Sequence, residues 1–340
     1  MLRSLKKRVP TAYKARIADA LLRLHYALLC IFITPIEFFS RSYITIHSRP
    51  KYAKDVRLVS EAAQRDYSEY AIVVQGPLYT NFRLTLETLL LFKKNYPGAM
   101  LILSTWEGED ARTIAEAQRA GVEVLTSKIL PYGGPTNINR QIYSSLSGVL
   151  HAKKAGKKYV LKIRSDQRLY APRALSYLSD LLALFPAHPG KARGRIIGRL
   201  ADRKKLYMLS DFFYFGYTED MEVFFSAPLV EKPVRLPFLE EWRPFSNEGY
   251  MCWQYAERLG YPLATTTEDF SKLLARQFLI VDLASLDFLF HKGGYKRMRF
   301  FERAELEYGY VKDLKVDFAE WLELYVRETS SLQKSPSRLP

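Results

Sequence analysis

The sequence predicts an α/β protein, with a mostly parallel sheet and helices on both of its faces. Three observations predict it. From Tyr70 onward, short apolar runs alternate four times with stretches whose apolar residues recur at helical spacing, the pattern of strand–helix–strand units. The first two runs, Ala71–Val74 and Met100–Leu103, are continuously apolar, as strands buried on both faces are. The 340 residues are 48% hydrophobic and 26% charged, enough apolar material for a sizeable core and too much for a disordered chain.

Ala71–Val74 (AIVV) is the first strand, closed by the turn signal Gln75-Gly76-Pro77. Phe82, Leu86, Leu89, Leu90 and Phe92 mark a helix over Phe82–Asn95, which Tyr96-Pro97-Gly98 stops. Met100–Leu103 is the second strand and leads into Ser104-Thr105-Trp106-Glu107; a helix over Ala111–Arg119 closes at Gly121, and Val122–Leu125 is the third strand. A long polar loop, Ser127–Asn137, carries Gly133-Gly134-Pro135. The next helix runs from Ile138 to Ala155, with Thr136 or Asn137 as its N-cap. Lys158–Ile163 (KYVLKI) is the fourth strand, with Arg164-Ser165-Asp166-Gln167 at its carboxyl end. Further sheet is expected at Arg195–Leu200 and Leu206–Leu209, and a C-terminal helix at Asp317–Glu328. Residues 330–340 (SSLQKSPSRLP) read as disordered.

Right-handed crossovers place the carboxyl ends of such strands along one edge, and ligands bind in the crevice there. Gln75, Gly76, Trp106, Glu107 and Asp166 are therefore expected to converge. Several chemistries are excluded by absent motifs. No Gly-x-Gly-x-x-Gly follows the first strand, and no P-loop, Gly-x-Ser-x-Gly elbow or His-Glu-x-x-His occurs. The five histidines are scattered, and Cys30 and Cys252 form no Cys-x-x-Cys, which fits a reducing compartment better than a disulfide framework or zinc site.

The remaining polar residues suit a phosphate-bearing ligand. Arg140 falls in the first turn of a helix, where free N–H groups already favour an anion, and its planar fork matches a phosphate. Asp166, at a strand's carboxyl end, can hold a divalent metal that would neutralise a diphosphate leaving group, or serve as a helix N-cap or turn aspartate. Arg164, two residues earlier, offers fixed positive charge or an ion pair with Asp166. Trp106 offers a stacking face or a buried structural ring.

The charge is unevenly spread. Lys+Arg outnumber Asp+Glu by 51 to 36, and residues 1–65 alone hold 13 basic against 4 acidic residues, +9 of the net +15. This excess flanks the stretch LLRLHYALLCIFITPIEFF, whose cleanest apolar run, Tyr26–Ile36, covers 11 residues. A spanning helix needs about 20, and no Ala-x-Ala cleavage pattern follows. The segment therefore reads as an amphipathic, apolar N-terminal helix lying on an anionic membrane surface rather than as a nucleic-acid-binding arm. A core helix and a true span are the alternatives. Residues 41–69 read as a polar connector with one short helix.

The stretch NINRQIYSSLSGVLHAKKAGKKYVLKIRSDQ resembles the Asn/Arg-led helix, strand and Asp-x-Asp segment of GT-A glycosyltransferases. With IVVQGPL, LILSTW and LSDFFYFG, it resembles the WavE lipopolysaccharide synthesis family over roughly Tyr70–His291. The resemblance implies a GT-A-like sugar transferase of bacterial cell-surface polysaccharide assembly: lipopolysaccharide, capsule or a related polymer. It implies a nucleotide-sugar donor, bound by Gln75, Gly76, Pro77, Trp106, Asn139, Arg140, Arg164 and Asp166. It implies a lipid-linked saccharide acceptor and a peripheral position on the cytoplasmic face of the inner membrane. A divalent metal, manganese or magnesium, is implied at Asp166, with His291 as a further ligand. Here Arg164 stands where the family pattern has its first aspartate, which lowers the affinity for a cation and leaves metal dependence open. PFSNEGYMCWQYAERLGYPL resembles the segment that delivers the catalytic base in inverting members. Glu248 holds the acidic position there, and Asp211, read as a loop aspartate after an apolar strand, is the rival base or acceptor ligand. The implied organisation is a membrane-proximal segment over 1–69, a catalytic domain over 70–294 and a helical extension over 295–340. The rivals are a sugar nucleotidyltransferase, whose Gly-rich basic loop QGPLYTNFR lacks, and a non-catalytic basic protein binding membranes or polyanions through a degenerate site.

Overall fold

Four parallel strands form the frame of the molecule. In a computed structural model, β1 (Tyr70–Gln75), β2 (Met100–Trp106), β3 (Glu123–Ser127) and β4 (Tyr159–Arg164) lie in the order β3-β2-β1-β4, every adjacent pair parallel. The structure describes residues 20, 24, 28, 31–39, 49–56, 65–188, 190, 192–202, 206–231, 247–291 and 315–334. β1 is central and buried along its whole length, which is why its sequence is apolar without alternation. The connecting helices are α1 (Leu84–Asn95), α2 (Ala111–Arg119) and α3 (Ile138–Lys154). Asp110 caps α2 by accepting from the Thr113 N–H at 2.8 Å. Gly148 lets α3 lie close on the sheet, because a Cβ there would run into Val73.

The second half of the sheet is mostly antiparallel. β7 (Leu209–Tyr217) pairs antiparallel with β4, and β6 (Ile196–Asp202) antiparallel with β7. β8 (Phe278–Ile280) runs parallel to β6, and β10 (Lys315–Val316) antiparallel to it. The result is an eight-stranded, mixed but mostly parallel sheet flanked by helices. A separate two-stranded ribbon pairs β5 (Gln167–Leu169) with β9 (Phe288–Phe290). The later helices are α4 (Ala174–Leu184), α5 (Thr218–Phe225), α6 (Asn247–Leu259), α7 (Thr267–Gln277) and α8 (Phe318–Lys334). Trp321 of α8 is fully buried, its indole N–H donating to the carbonyls of Phe278 (2.9 Å) and Leu274 (3.1 Å).

The structure corrects four local expectations. Phe82 is not the first residue of α1. It lies in a 3-10 turn before it, with φ 54°, and its exposed ring carries the Lys51 ammonium 4.2 Å above it. Of the two N-cap candidates Asn137 holds the position, but its side chain makes no capping bond; Thr136 and Asn137 are left-handed, at φ 50° and 67°. The strand expected at Leu206–Leu209 instead begins at Leu209 and runs to Tyr217, so Asp211 lies inside a strand and not in a loop. The aromatic run FFYF favours an extended chain packed on a sheet. Finally, α8 continues through Lys334, so residues 330–334 are helical; residues 335–340 lie outside the described residues, as do 41–48 and 57–64 of the connector.

The chain divides into two compact units, Met1–Arg49 and Pro50–Pro340. In the first, residues 31–39 are helical, and Ile31, Phe32, Ile36, Phe38 and Phe39 are exposed. Among the described residues, no helix is long and apolar enough to cross a membrane.

Candidate active site

The carboxyl ends of the parallel strands meet on one rim. Gln75 at the end of β1 is in register with Ser104 of β2 and with Arg164 at the end of β4. The Gln75-Gly76-Pro77 turn is stitched to both neighbours. The Ser165 N–H donates to the Gln75 carbonyl at 2.9 Å, and the Gly76 N–H to the Ser104 carbonyl at 3.0 Å. The Ser165 hydroxyl donates to the Pro77 carbonyl at 2.6 Å. Gly76 has φ 121°, and a Cβ there would sit 3.0 Å from Ser165 Oγ. The position needs glycine for both its conformation and its space. Thr85 completes the knot: its hydroxyl donates to the Ser165 carbonyl and accepts from the Tyr79 N–H.

Arg164 lies at the centre of a charged cluster on this rim. Its Nε donates to Asp166 Oδ1 at 3.1 Å, its Nη2 to Asp166 Oδ2 at 3.0 Å, and its Nη1 to Asp211 Oδ2 at 3.0 Å. The Phe290 ring centroid lies 5.6 Å from the guanidinium carbon. Burial works against the guanidinium's charge, but the Asp211 and Asp166 carboxylates outweigh it and hold its pKa above the ordinary value. Asp166 is 1% exposed. The Tyr79 phenol faces it; burial first, and the Asp166 charge second, push that phenol up.

Asp211 reaches Arg164 because β7 bulges. The β6–β7 register jumps from Gly198 opposite Tyr214 to Arg199 opposite Ser210, so β7 makes an excursion at residues 211–213. The Tyr214 hydroxyl donates back to the Leu209 carbonyl at 2.9 Å, closing the excursion. A bulge re-aims a side chain in this way. It moves Asp211 out of the alternation its place in the strand would impose.

Beneath the cluster lies Lys162, two residues before Arg164 and on the same face of β4. It is fully buried, 3.4 Å from the Asp211 carbonyl and 5.6 Å from the Tyr214 ring centroid. Burial pushes its ammonium down to about 8, against the pull of Asp211. Glu248, in the first turn of α6 and half-buried, acts on the same ground: its charge is felt at Lys162, Tyr214 and Cys252.

Other expected residues are arranged around this centre. Trp106 ends β2 and is 6% exposed, so its ring is mostly enclosed. Asn139 and Arg140 open α3, the helix that leaves the rim after β3. The Asn139 side chain faces inward, donating to the Val230 carbonyl at 2.9 Å and accepting from its N–H at 2.7 Å. Arg140 donates through Nη1 to Asn137 Oδ1 at 3.0 Å, while its buried Nε has no hydrogen-bond partner. α1 and α3 are both entered through two successive left-handed residues, Phe82–Arg83 and Thr136–Asn137. Backbone strain of this kind costs energy and collects at ligand sites. Sequence reasoning passed over Lys162 and Tyr79. A lysine inside the apolar run KYVLKI was the available signal for the first; the second carried none.

The metal that the sequence pattern suggests does not fit this arrangement. Both oxygens of Asp166 accept from Arg164, so a cation there would displace and face a guanidinium. The His291 main-chain N–H donates to the Asp166 carbonyl at 2.8 Å, and its buried Nδ1 has no hydrogen-bond partner. That is one available donor. Among the described residues, no group of three His, Cys, Asp or Glu side chains is placed to hold a metal ion. What the site does offer is a fixed guanidinium between two carboxylates, a tight glycine turn beside it, a helix terminus with an arginine on the same rim, and a half-buried carboxylate opposite.

Comparison with known proteins gives the family. The family model described as WavE lipopolysaccharide synthesis matches residues 70–338, most of the chain. No curated protein matches it. The chain belongs to the WavE lipopolysaccharide synthesis family.

Proposed function

We propose that this WavE-family protein is a glycosyltransferase of GT-A-like fold, moving a sugar from a nucleotide-activated donor to a lipid-linked saccharide during assembly of bacterial surface polysaccharide. The observation that carries the reading is the Arg164–Asp166–Asp211 cluster, set at the end of β4 against the Gln75-Gly76-Pro77 turn. Family membership supplies the biological setting. The donor's nucleotide lies along the glycine turn, where the backbone approaches closely, and its diphosphate lies between Arg164 and the head of α3 with Arg140. Glu248 takes the proton from the acceptor hydroxyl as that oxygen attacks the anomeric carbon. Asp211 suits this role less well, because its carboxylate is committed to Arg164.

The N-terminal unit supplies the meeting with a lipid-linked acceptor. Phe32, Ile36, Phe38 and Phe39 are exposed on a helix whose flanking sequence is strongly basic. That combination suits the headgroup region of an anionic membrane, and we place the protein peripherally on the cytoplasmic face of the inner membrane. The reading is tested by thermal shift of the full chain against nucleoside diphosphates. A ligand that prefers the folded state raises the unfolding temperature. A transferase responds selectively to one base. An equal, salt-sensitive response to any polyanion sinks the reading in favour of a basic binding protein.

A further inference from the structure

We propose that Arg164 supplies the fixed positive charge for the donor's diphosphate, in place of a divalent metal. The inference deepens the transferase reading and rests on it. Three observations carry it.

The first is where the carboxylate lone pairs go. Asp166 is the residue at the end of β4 from which a metal would be expected to hang. Its two oxygens accept two separate N–H groups from one guanidinium, at 3.1 and 3.0 Å, and it is 1% exposed. A paired, fork-to-fork arrangement of this kind is among the stronger hydrogen-bonded ion pairs. A divalent ion entering here would have to break it, and would then stand beside the displaced cation.

The second is what the guanidinium has left. It carries five N–H donors. Three are used by Asp166 and Asp211. The two that remain, one on Nη1 and one on Nη2, belong to a side chain that keeps 26% of its surface exposed, while Asp166 is enclosed. The group is thus partly open and keeps two donors uncommitted. The N–H groups of a planar guanidinium match phosphate oxygens.

The third is rigidity. Two carboxylates hold the guanidinium from two directions, Phe290 packs near it, and the β7 bulge fixes Asp211. A charge that does not reorient when the diphosphate leaves is the kind that lowers a barrier. The chemistry balances without a metal. The bond between the anomeric carbon and the diphosphate oxygen breaks, and its electron pair stays on that oxygen. The acceptor oxygen bonds to the anomeric carbon, and its proton passes to Glu248. The charge gathered on the leaving diphosphate is met by the free N–H groups of Arg164.

The test is calorimetric titration of the full chain with uridine, guanosine, cytidine and adenosine diphosphates, once in EDTA and once in manganese. The expected result is that one diphosphate binds with the same Kd, within about twofold, in both buffers. Arg164→Lys keeps a charge but loses the fork; it is expected to weaken that binding at least tenfold in EDTA while its circular dichroism stays native, with a lower unfolding temperature from the lost bonds to Asp166. Binding that appears only with manganese overturns the inference and leaves the transferase reading standing. So does equal binding by Arg164→Lys and the natural protein. If no diphosphate binds in either buffer, the transferase reading itself fails. The EDTA arm uses the unaltered protein, so the result stands even where a variant does not fold.

Discussion

Arg164 and Arg168 lie four residues apart, on β4 and β5, and both are pinned by several hydrogen bonds, yet they do opposite things. Arg168 is 2% exposed and spends its guanidinium on acceptors that join distant pieces of chain. Its Nε donates to Thr88 Oγ1, its Nη2 to the Leu84 carbonyl, and its Nη1 to the Lys51 carbonyl and the Tyr170 hydroxyl. Tyr170 in turn donates to the Pro50 carbonyl. Four of its five N–H donors are engaged in this way, and the group ties α1 and residues 50–51 to the β5–β9 ribbon. Arg164 is held as firmly, but by carboxylates, with donors to spare and a side open to solvent. Burial and bonding alone do not separate the two; the role proposed for Arg164 rests on its partial exposure and its two uncommitted donors.

The comparison is broken most directly at the open arginine's partner. Asp166→Asn keeps the shape but removes the charge that fixes Arg164, and the expected outcome is loss of transfer by more than a hundredfold with the fold intact. Incorporation of labelled sugar into lipid extracts, alongside circular dichroism, reads both. Glu248→Gln is expected to lose transfer by a factor of about 10²–10⁴, the range of general-base catalysis, while diphosphate binding is unchanged. Loss of binding instead would move Glu248 from the base to the donor pocket.

Arg168→Met tests the other side. It leaves Thr88 and three further acceptors without their donor, which costs about 3 kcal/mol. For a chain of this size that is roughly 4 °C in unfolding temperature. Transfer per folded molecule is expected to stay near the natural value. If activity instead falls with stability unchanged, the division between the two arginines is wrong. A smaller effect is expected at the head of α3: Arg140→Ala should weaken diphosphate binding about tenfold, or ~1.4 kcal/mol. Its Nε is partnerless, its Nη1 donates to Asn137 Oδ1 and its Nη2 makes a long contact of 3.5 Å with the Leu130 carbonyl, so the stability cost should be small.

Those differences also mark what the sequence could convey. β1 and β2 were legible because their apolar runs are continuous, as strands covered on both sides are written; β3 and β4 were legible mainly from their place between helical stretches. The rim followed from connectivity alone, which is why Gln75, Gly76 and Asp166 were placed correctly from residues nearly a hundred positions apart. The antiparallel half was not legible in the same way. Asp211 breaks the apolar run of β7, so the strand seemed to end where it bulges; a bulge depends on register with β6, which one chain segment does not encode locally. Lys162 was passed over although its place inside an apolar run was a signal. Arg168 was missed because a buried charged residue is spelled the same as an exposed one; only its partners Thr88, Leu84 and Lys51, 80 to 117 residues away, tell them apart.

Lys162 gives the finest division between the two regions, because it belongs to the cluster yet cannot touch the ligand. It is fully buried under Arg164, and burial pushes its ammonium down to about 8 from an ordinary value near 10.5. A folded-state value below the unfolded one means that the folded protein binds this proton less tightly. The stability tied to the group is then present above the ordinary lysine value and lost as pH falls through about 8. Between pH 7 and 9 the folded state should therefore gain about 1 kcal/mol from this group alone. Denaturant unfolding across that range, compared between the natural protein and Lys162→Met, isolates the contribution, since the other titrations cancel in the difference. The natural protein's stability should rise with pH relative to the variant. Parallel curves would mean that the charges of Asp211, Asp166 and Glu248 fully compensate the buried ammonium, which would make Lys162 as closed a structural element as Arg168.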